Sequence, residues 1–168
     1  MSESLLMWSV PLAIGLHNLE EAVWLPQWSQ ERAGRCHPSV GAWSFRFAVA
    51  TLTVFTFVVA ALAQFGGWGS LGHYLLASYA LGQALNVFLP HVVATIATRA
   101  YAPGLLTGVL FVLPAAFAFL SKSFTGEHLQ ATRFCIIAAM FIPLVLLSIP
   151  VLFRVGRFLE VRLYHNAA

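Results

Sequence analysis

Apolar residues run along this chain in long blocks, and short polar or Pro/Gly-rich stretches separate them. A membrane-spanning helix takes about 20 mostly apolar residues. Blocks of that size run from Ser4 to Leu25 (ended by Pro26), Ala42 to Gln64, Leu71 to Thr98, Pro103 to Leu120, and Ala131 to Phe153. Gly66-Gly67-Trp68-Gly69 turns the chain between the second and third blocks, and Pro103 suits the first position of a helix. Residues 154–165 read as an amphipathic tail, with Arg154, Arg157, Glu160 and Arg162 set among Phe158, Leu159 and Leu163. The pattern predicts an all-α fold: a polytopic transmembrane helix bundle of about five helices, forming one integral membrane domain over residues 1–168.

Composition agrees. The chain is 60% hydrophobic and 9% charged, with a mean hydropathy of +0.81, whereas soluble domains carry roughly 25% charged residues. That excludes a soluble globular domain. The net charge of +3 comes from eight Arg and one Lys, with no Asp. In a membrane protein such cations set orientation, so no nucleic-acid partner is expected. With the N-terminus outside, Arg32, Arg35, Arg46, Arg99, Arg154, Arg157 and Arg162 fall inside, against Lys122 and Arg133 outside. The expectation is N-out, C-in, with the tail at the cytoplasmic interface of a cell membrane. A bias toward Arg, Ala, Val and Gly points to a bacterial source. Met1-Ser2-Glu3-Ser4 lacks a positive n-region, so the first block is expected to stay as a membrane helix. Cys36 and Cys135 then lie on opposite sides and cannot pair within one chain.

One polar cluster breaks the apolar pattern. In His17-Asn18-Leu19-Glu20-Glu21, the residues His17, Glu20 and Glu21 stand at i, i+3 and i+4 and leave one helix turn together. Two carboxylates and an imidazole persist in hydrocarbon only if they face an interior, a partner or an ion. At this spacing they can ligate one metal ion from a single turn. Di-metal bundles do this with Glu-x-x-His, and zinc hydrolases with two His flanking a Glu base. The order His, Glu, Glu matches neither, so the second Glu is open as a ligand, a bridging carboxylate or a general base. A structural alternative pairs Glu20 or Glu21 with Arg46 and leaves His17 as a hydrogen-bonding partner.

The third block adds Gln83, Asn86, Pro90, His91 and Thr95. Pro90 frees the carbonyl of Asn86, so a kink is expected. On an ideal helix Asn86 and His91 point roughly 140° apart; a kink or a π-bulge would bring them together. His91 is then a further metal ligand or a proton-transfer group, and Asn86 a ligand or a substrate orienter. The alternative for Asn86 and Thr95 is interhelical hydrogen bonding, worth about 1 kcal/mol each. By the topology, His17 to Glu21, Arg46, Asn86, His91 and Thr95 share one depth in the inner half of the membrane. Tyr101-Ala102-Pro103-Gly104 reads as a tight turn, with Tyr101 placed to close the cytoplasmic mouth or donate a hydrogen bond. His73 is expected at the outer interface, and His37, His128 and His165 are given no role. Gly104-x-x-x-Gly108 and Ser78-x-x-x-Gly82 read as close helix contacts.

In this order and spacing, His17-Asn18-Leu19-Glu20-Glu21, Trp24-Leu25-Pro26, Asn86-Val87-Phe88-Leu89-Pro90-His91 and Tyr101-Ala102-Pro103-Gly104 resemble the HXXEE family of small integral membrane proteins. The resemblance covers about Leu12 to Gly108. It implies a multi-helix membrane fold and a metal-binding or catalytic centre, which falls here on His17, Glu20, Glu21, Asn86 and His91. It implies no particular reaction.

The leading expectation is a membrane-embedded, metal-dependent enzyme. His17, Glu20, Glu21 and His91 would hold a divalent metal ion, zinc or iron, without an organic cofactor. Glu20 or Glu21 would act as general base, and His91 and Asn86 would complete the catalytic set. The chemistry would be hydrolase- or isomerase-like, on a lipid or isoprenoid reached from the inner leaflet; a metal-free version would shuttle protons between Glu and His. Two alternatives stand beside it. One is a proton-coupled transporter or binding protein, for which five helices without an inverted repeat are few unless the chain forms a homodimer. The other is an accessory scaffold whose polar cluster fixes helix register.

Overall fold

A computed structural model describes residues 3–32 and 40–165. The expectations for Arg35, Cys36 and His37 lie outside the described residues. Long helices make up the chain: α1 (Glu3–Glu31), α2 (Ala42–Gly66), α3 (Leu71–Thr98), α4 (Leu105–Thr125) and α5 (Ala131–His165). No strand occurs among the described residues. The helices α2 to α5 are long and apolar enough to cross a membrane, which gives four candidate spans. At 29 residues α1 is also long enough, but His17, Asn18, Glu20 and Glu21 in its middle make it less apolar. This is the make-up of an integral membrane protein.

The helix α1 does not stop at Leu25 but runs through Pro26 to Glu31. A proline inside a helix leaves the carbonyl four residues back without its donor, and here that carbonyl belongs to Ala22. Arg46 of α2 supplies a replacement: its Nε donates to the Ala22 oxygen at 3.0 Å. Ser29 ties the chain beyond the proline, donating from Oγ to the Pro26 carbonyl at 2.8 Å and accepting from the Val40 N–H at 3.1 Å. At the other end of the chain, α5 is 35 residues long and passes through Pro143 and Pro150 without ending. The segment after Phe153 is therefore an extension of α5 and not a separate tail. At 1.5 Å per residue, α5 crosses a hydrocarbon core of about 30 Å with several turns to spare. The helix α4 begins at Leu105, two residues after Pro103, because Gly104 takes φ +96° just ahead of it.

Among the described residues the bundle packs three apolar clusters, a small one of Ala13, Val87 and Val112 and two larger ones. One joins Val10 and Ile14 of α1 to Ala60, Leu76, Phe119 and Phe141 of the other helices. The second, at the opposite end, joins Leu25 and Trp28 to Phe45, Val49, Ala94 and Ala102. Between them lies the polar part of α1. Small residues set the close contacts. A Cβ on Gly72 would sit 2.6 Å from the Leu62 backbone, so α2 and α3 touch backbone to backbone there. Gly108 lies against Val87, where an added Cβ would come within 2.8 Å of Cγ2, and Gly82 faces Ile142.

His73 lies in the first turn of α3, at the end expected to be the outer one, but it does not face outward. It is fully buried, and its ring fastens three parts of the chain. Nδ1 accepts from the Gly69 N–H at 2.9 Å, so Nε2 carries the proton and donates to Ser123 Oγ, also at 2.9 Å. Ser123 in turn donates to the Phe119 carbonyl at 2.7 Å. Trp68 meets His73 edge-on at 4.7 Å and lies 4.6 Å from the His128 ring.

Candidate metal centre

On α1, His17 and Glu21 are one turn apart and share a face, while Glu20 points about 100° away from Glu21. On α3, residues Val87–Val92 form a π-helical segment. Pro90 has no N–H for the Asn86 carbonyl, so the ladder widens, and the Val93 N–H reaches back five residues to Phe88. In that wider turn Asn86 and His91, also five apart, return to one side. The kinked third block thus brings them together, as its sequence suggests.

The two helices meet at a single point. Glu21 Oε1 lies 3.0 Å from His91 Nε2 and 3.7 Å from His17 Nε2. The amide nitrogen of Asn86 is 3.4 Å from each of the same two ring nitrogens. The imidazoles stand edge to face, 5.0 Å apart and at 88°. His17 is fully buried and His91 nearly so. His17, Glu21 and His91 form a group that could hold a metal ion, with ligand atoms all within 4.8 Å of one another. At ordinary bond lengths of about 2.0–2.1 Å, neighbouring ligand atoms in a tetrahedral site lie roughly 3.3 Å apart. The two carboxylate–imidazole spacings, 3.0 and 3.7 Å, straddle that value and the third is within 4.8 Å, so side-chain rotation would close the three donors on an ion. Exchanging the nitrogen and oxygen of the Asn86 amide, which are assigned from hydrogen bonding alone, would turn a fourth donor toward the same point.

Glu20 is engaged elsewhere. Its Oε1 accepts from the Tyr101 hydroxyl and from the Gly104 N–H at 2.9 Å. Its Oε2 accepts from the Thr107 N–H at 3.1 Å and from Thr107 Oγ1 at 2.5 Å. Those donors occupy the roughly four lone-pair sites of a carboxylate. Glu20 thus satisfies the open N–H groups at the start of α4 and places a negative charge at the positive end of that helix. Burial and, after it, the bond to Glu20 push the Tyr101 phenol up to about 12, so it keeps its proton and remains a donor.

Thr107 links this cap to the centre. Because its hydroxyl proton goes to Glu20, its oxygen is left to accept from His17 Nδ1, 3.4 Å away. His17 then carries its proton on Nδ1 and turns the lone pair of Nε2 toward Glu21. Outer partners that fix a ring tautomer in this way are typical of metal-ligating histidines. Gly104 forms the floor. At φ +96°, an added Cβ would stand 2.5 Å from His91 Cε1 and 2.9 Å from His17 Cε1.

Arg46 lies on the Ala22 carbonyl, and among the described residues no Lys or Arg pairs with Glu20 or Glu21. Thr95 accepts from the Ala102 N–H at 3.2 Å and holds the turn in place. Asn18 donates to Thr53 of α2 at 2.7 Å. The sequence flagged the Tyr101–Gly104 turn but gave Thr107 no part; its only signal is its position three residues after Gly104, on the first turn of α4. Beside Glu21 lies a cavity of about 230 Å³, lined also by Asn86, His91, Asn18 and Gln83.

Residues 8–119 match the family model described as "Protein of unknown function with HXXEE motif". The chain is also 33% identical, over 145 residues, to "Uncharacterized protein YrkK" of Bacillus subtilis (strain 168), covering 86% of this chain and 90% of that protein. No solved structure matches significantly.

Proposed function

The chain belongs to the HXXEE family, and we propose that it is a membrane-embedded, metal-dependent enzyme whose centre is His17, Glu21 and His91. The observation that carries this reading is the convergence of two imidazole nitrogens and one carboxylate oxygen within 4.8 Å of one another. Among the described residues no Lys or Arg pairs with that carboxylate, and Arg46 is engaged at the Ala22 carbonyl, which argues against a scaffold built on an Arg46 ion pair. Two His and one Glu with an open fourth position is a donor set that suits zinc, and iron is compatible with the same atoms. When bound, such an ion supplies a Lewis acid and an acidified water.

The chain's own residues divide the remaining work. Glu20 and Thr107 hold His17 in its ligating tautomer. Asn86 stands 3.4 Å from both ring nitrogens and orients whatever occupies the point between them. Glu21 lines the cavity, so its carboxylate is the group placed to take up a proton; Glu20, with its oxygens engaged at α4, is not. Leu25, Trp28 and Phe45 line the same cavity and keep water from it. The reaction class is hydrolase- or isomerase-like acid–base chemistry on a lipid or isoprenoid. In the N-out orientation the centre faces the inner leaflet of a bacterial cell membrane, because His91 lies in the last two turns of α3 and Gly104 and Thr107 lie at the start of α4. The 3.0 Å contact between His91 and Glu21 favours one second reading, metal-free proton transfer within that pair.

Elemental analysis of the detergent-purified protein separates the two. The metal reading expects zinc or iron in the wild type and its loss in His17→Ala. Equal metal content in both, or none in either, would remove it.

A further inference from the structure

The cavity beside Glu21 does not end at the polar group. A second cavity of about 350 Å³ lies between α3 and α5, and the two share Leu52, Gln83, Asn86, Pro90 and Ile149 as walls. The outer chamber is lined mainly by apolar side chains, and Leu85, Leu89 and Leu146 on its lining are exposed on the outer surface of the bundle. It therefore opens sideways, where a membrane would present acyl chains, and not toward either end of the bundle. Together the chambers fall within the range of about 300–1,000 Å³ common for small-molecule sites.

One polar atom in the shared wall lacks a use. Gln83 Oε1 is buried and has no hydrogen-bond partner among the described residues. A buried acceptor left unpaired costs about 1–3 kcal/mol, and Gln83 stands one helical turn from Asn86, about 4.5 Å along the axis. An occupant with a hydroxyl or amide N–H at that distance from its reacting group would satisfy it.

Resting on the reading of the centre given above, we infer that the substrate is an aliphatic-chain amphiphile that enters sideways between α3 and α5. Its head carries two polar groups: one meets His17, Glu21 and His91, and a hydrogen-bond donor about a helical turn away meets Gln83. Its chain fills the outer chamber against Gly82, Ile142 and Leu146. By chemistry this describes a glycerol monoester or an N-acyl amino alcohol more closely than a simple hydrocarbon.

The test uses the full chain in lipid nanodiscs with two photoreactive probes. One is a dodecyl glycerol monoether with a mid-chain diazirine, which resists hydrolysis; the other is the same chain without hydroxyls. The monoether is expected to label residues 78–82 and 141–146 above the background at outward-facing Phe117 and Leu147. Leu146→Trp, at an exposed rim position, should cut that labelling several-fold. Gln83→Leu should abolish the advantage of the monoether over the hydrocarbon, while bound metal stays unchanged in both variants. Even labelling around the outer surface, or wall labelling that neither substitution alters, would overturn the inference. Metal absent from a wild type whose walls are still labelled would count against the metal centre alone, and metal retained with even labelling against the chamber alone.

Discussion

Two buried histidine sites, at different levels of the bundle, show how one residue type serves opposite ends. At His73 both ring nitrogens have protein partners, Gly69 N–H on one and Ser123 Oγ on the other. Nothing is left over, and the ring acts as a clamp between α3, the turn before it and α4. At His17 and His91 the two Nε2 atoms instead converge on Glu21 Oε1, with the Asn86 amide 3.4 Å from each. A closed set of hydrogen bonds reads as structure, and a converging set of lone pairs reads as a place for something else. Glu20 and Glu21 repeat the lesson within a single turn of α1: the first is spent on the start of α4, and the second stays with the imidazoles.

The contrast can be broken most severely at Gly104. Gly104→Ala puts a methyl carbon into both site imidazoles and forces a backbone conformation that costs a non-glycine residue about 1–3 kcal/mol. Melting of the detergent-purified protein should fall by the largest step of any variant here, with bound metal lost as well. Next is the pair His73→Ala and His17→Ala. The first strips partners from buried groups, each worth about 1–3 kcal/mol, so it should lower the melting temperature and leave bound metal intact. The second should show the reverse balance, which thermal melting and elemental analysis together would read. A smaller effect is expected for Thr107→Val, which keeps the shape but removes the oxygen that fixes the His17 tautomer. Loss of such an outer partner typically weakens metal binding 10- to 100-fold, measurable by competition with a chelator, and little change in melting should accompany it. The smallest is Arg46→Met, which leaves the Ala22 carbonyl without its donor for about 1 kcal/mol and should not change metal content.

Much of this arrangement is legible in the sequence, and the gaps share a cause. The helical blocks follow from apolar run length, which the membrane fixes. The placing of His17 with Glu21 follows from helical period, and the meeting of Asn86 with His91 from Pro90, because a missing N–H acts locally whatever surrounds it. The errors occur where a distant residue decides. Pro26 looks like a helix end until Arg46, on another helix, takes over the orphaned carbonyl of Ala22. Residues 154–165 look like a separate tail, yet the last helix carries on through them to His165. Glu20 shares a helix turn with Glu21, and nothing in the pentapeptide reveals that the Gly104 turn will offer it backbone donors. His73, near a helix end, gives no sign in the sequence of the partners, Gly69 and Ser123, that enclose it.

The central claim is that His17, Glu21 and His91 converge on one ion. X-ray absorption at the metal edge of the zinc-loaded protein tests it most directly. The account predicts a first shell of nitrogen and oxygen at about 2.0–2.1 Å with the outer-shell scattering of two imidazoles, reduced to one in His91→Ala. A spectrum without imidazole scattering, or one that His91→Ala leaves unchanged, would contradict it.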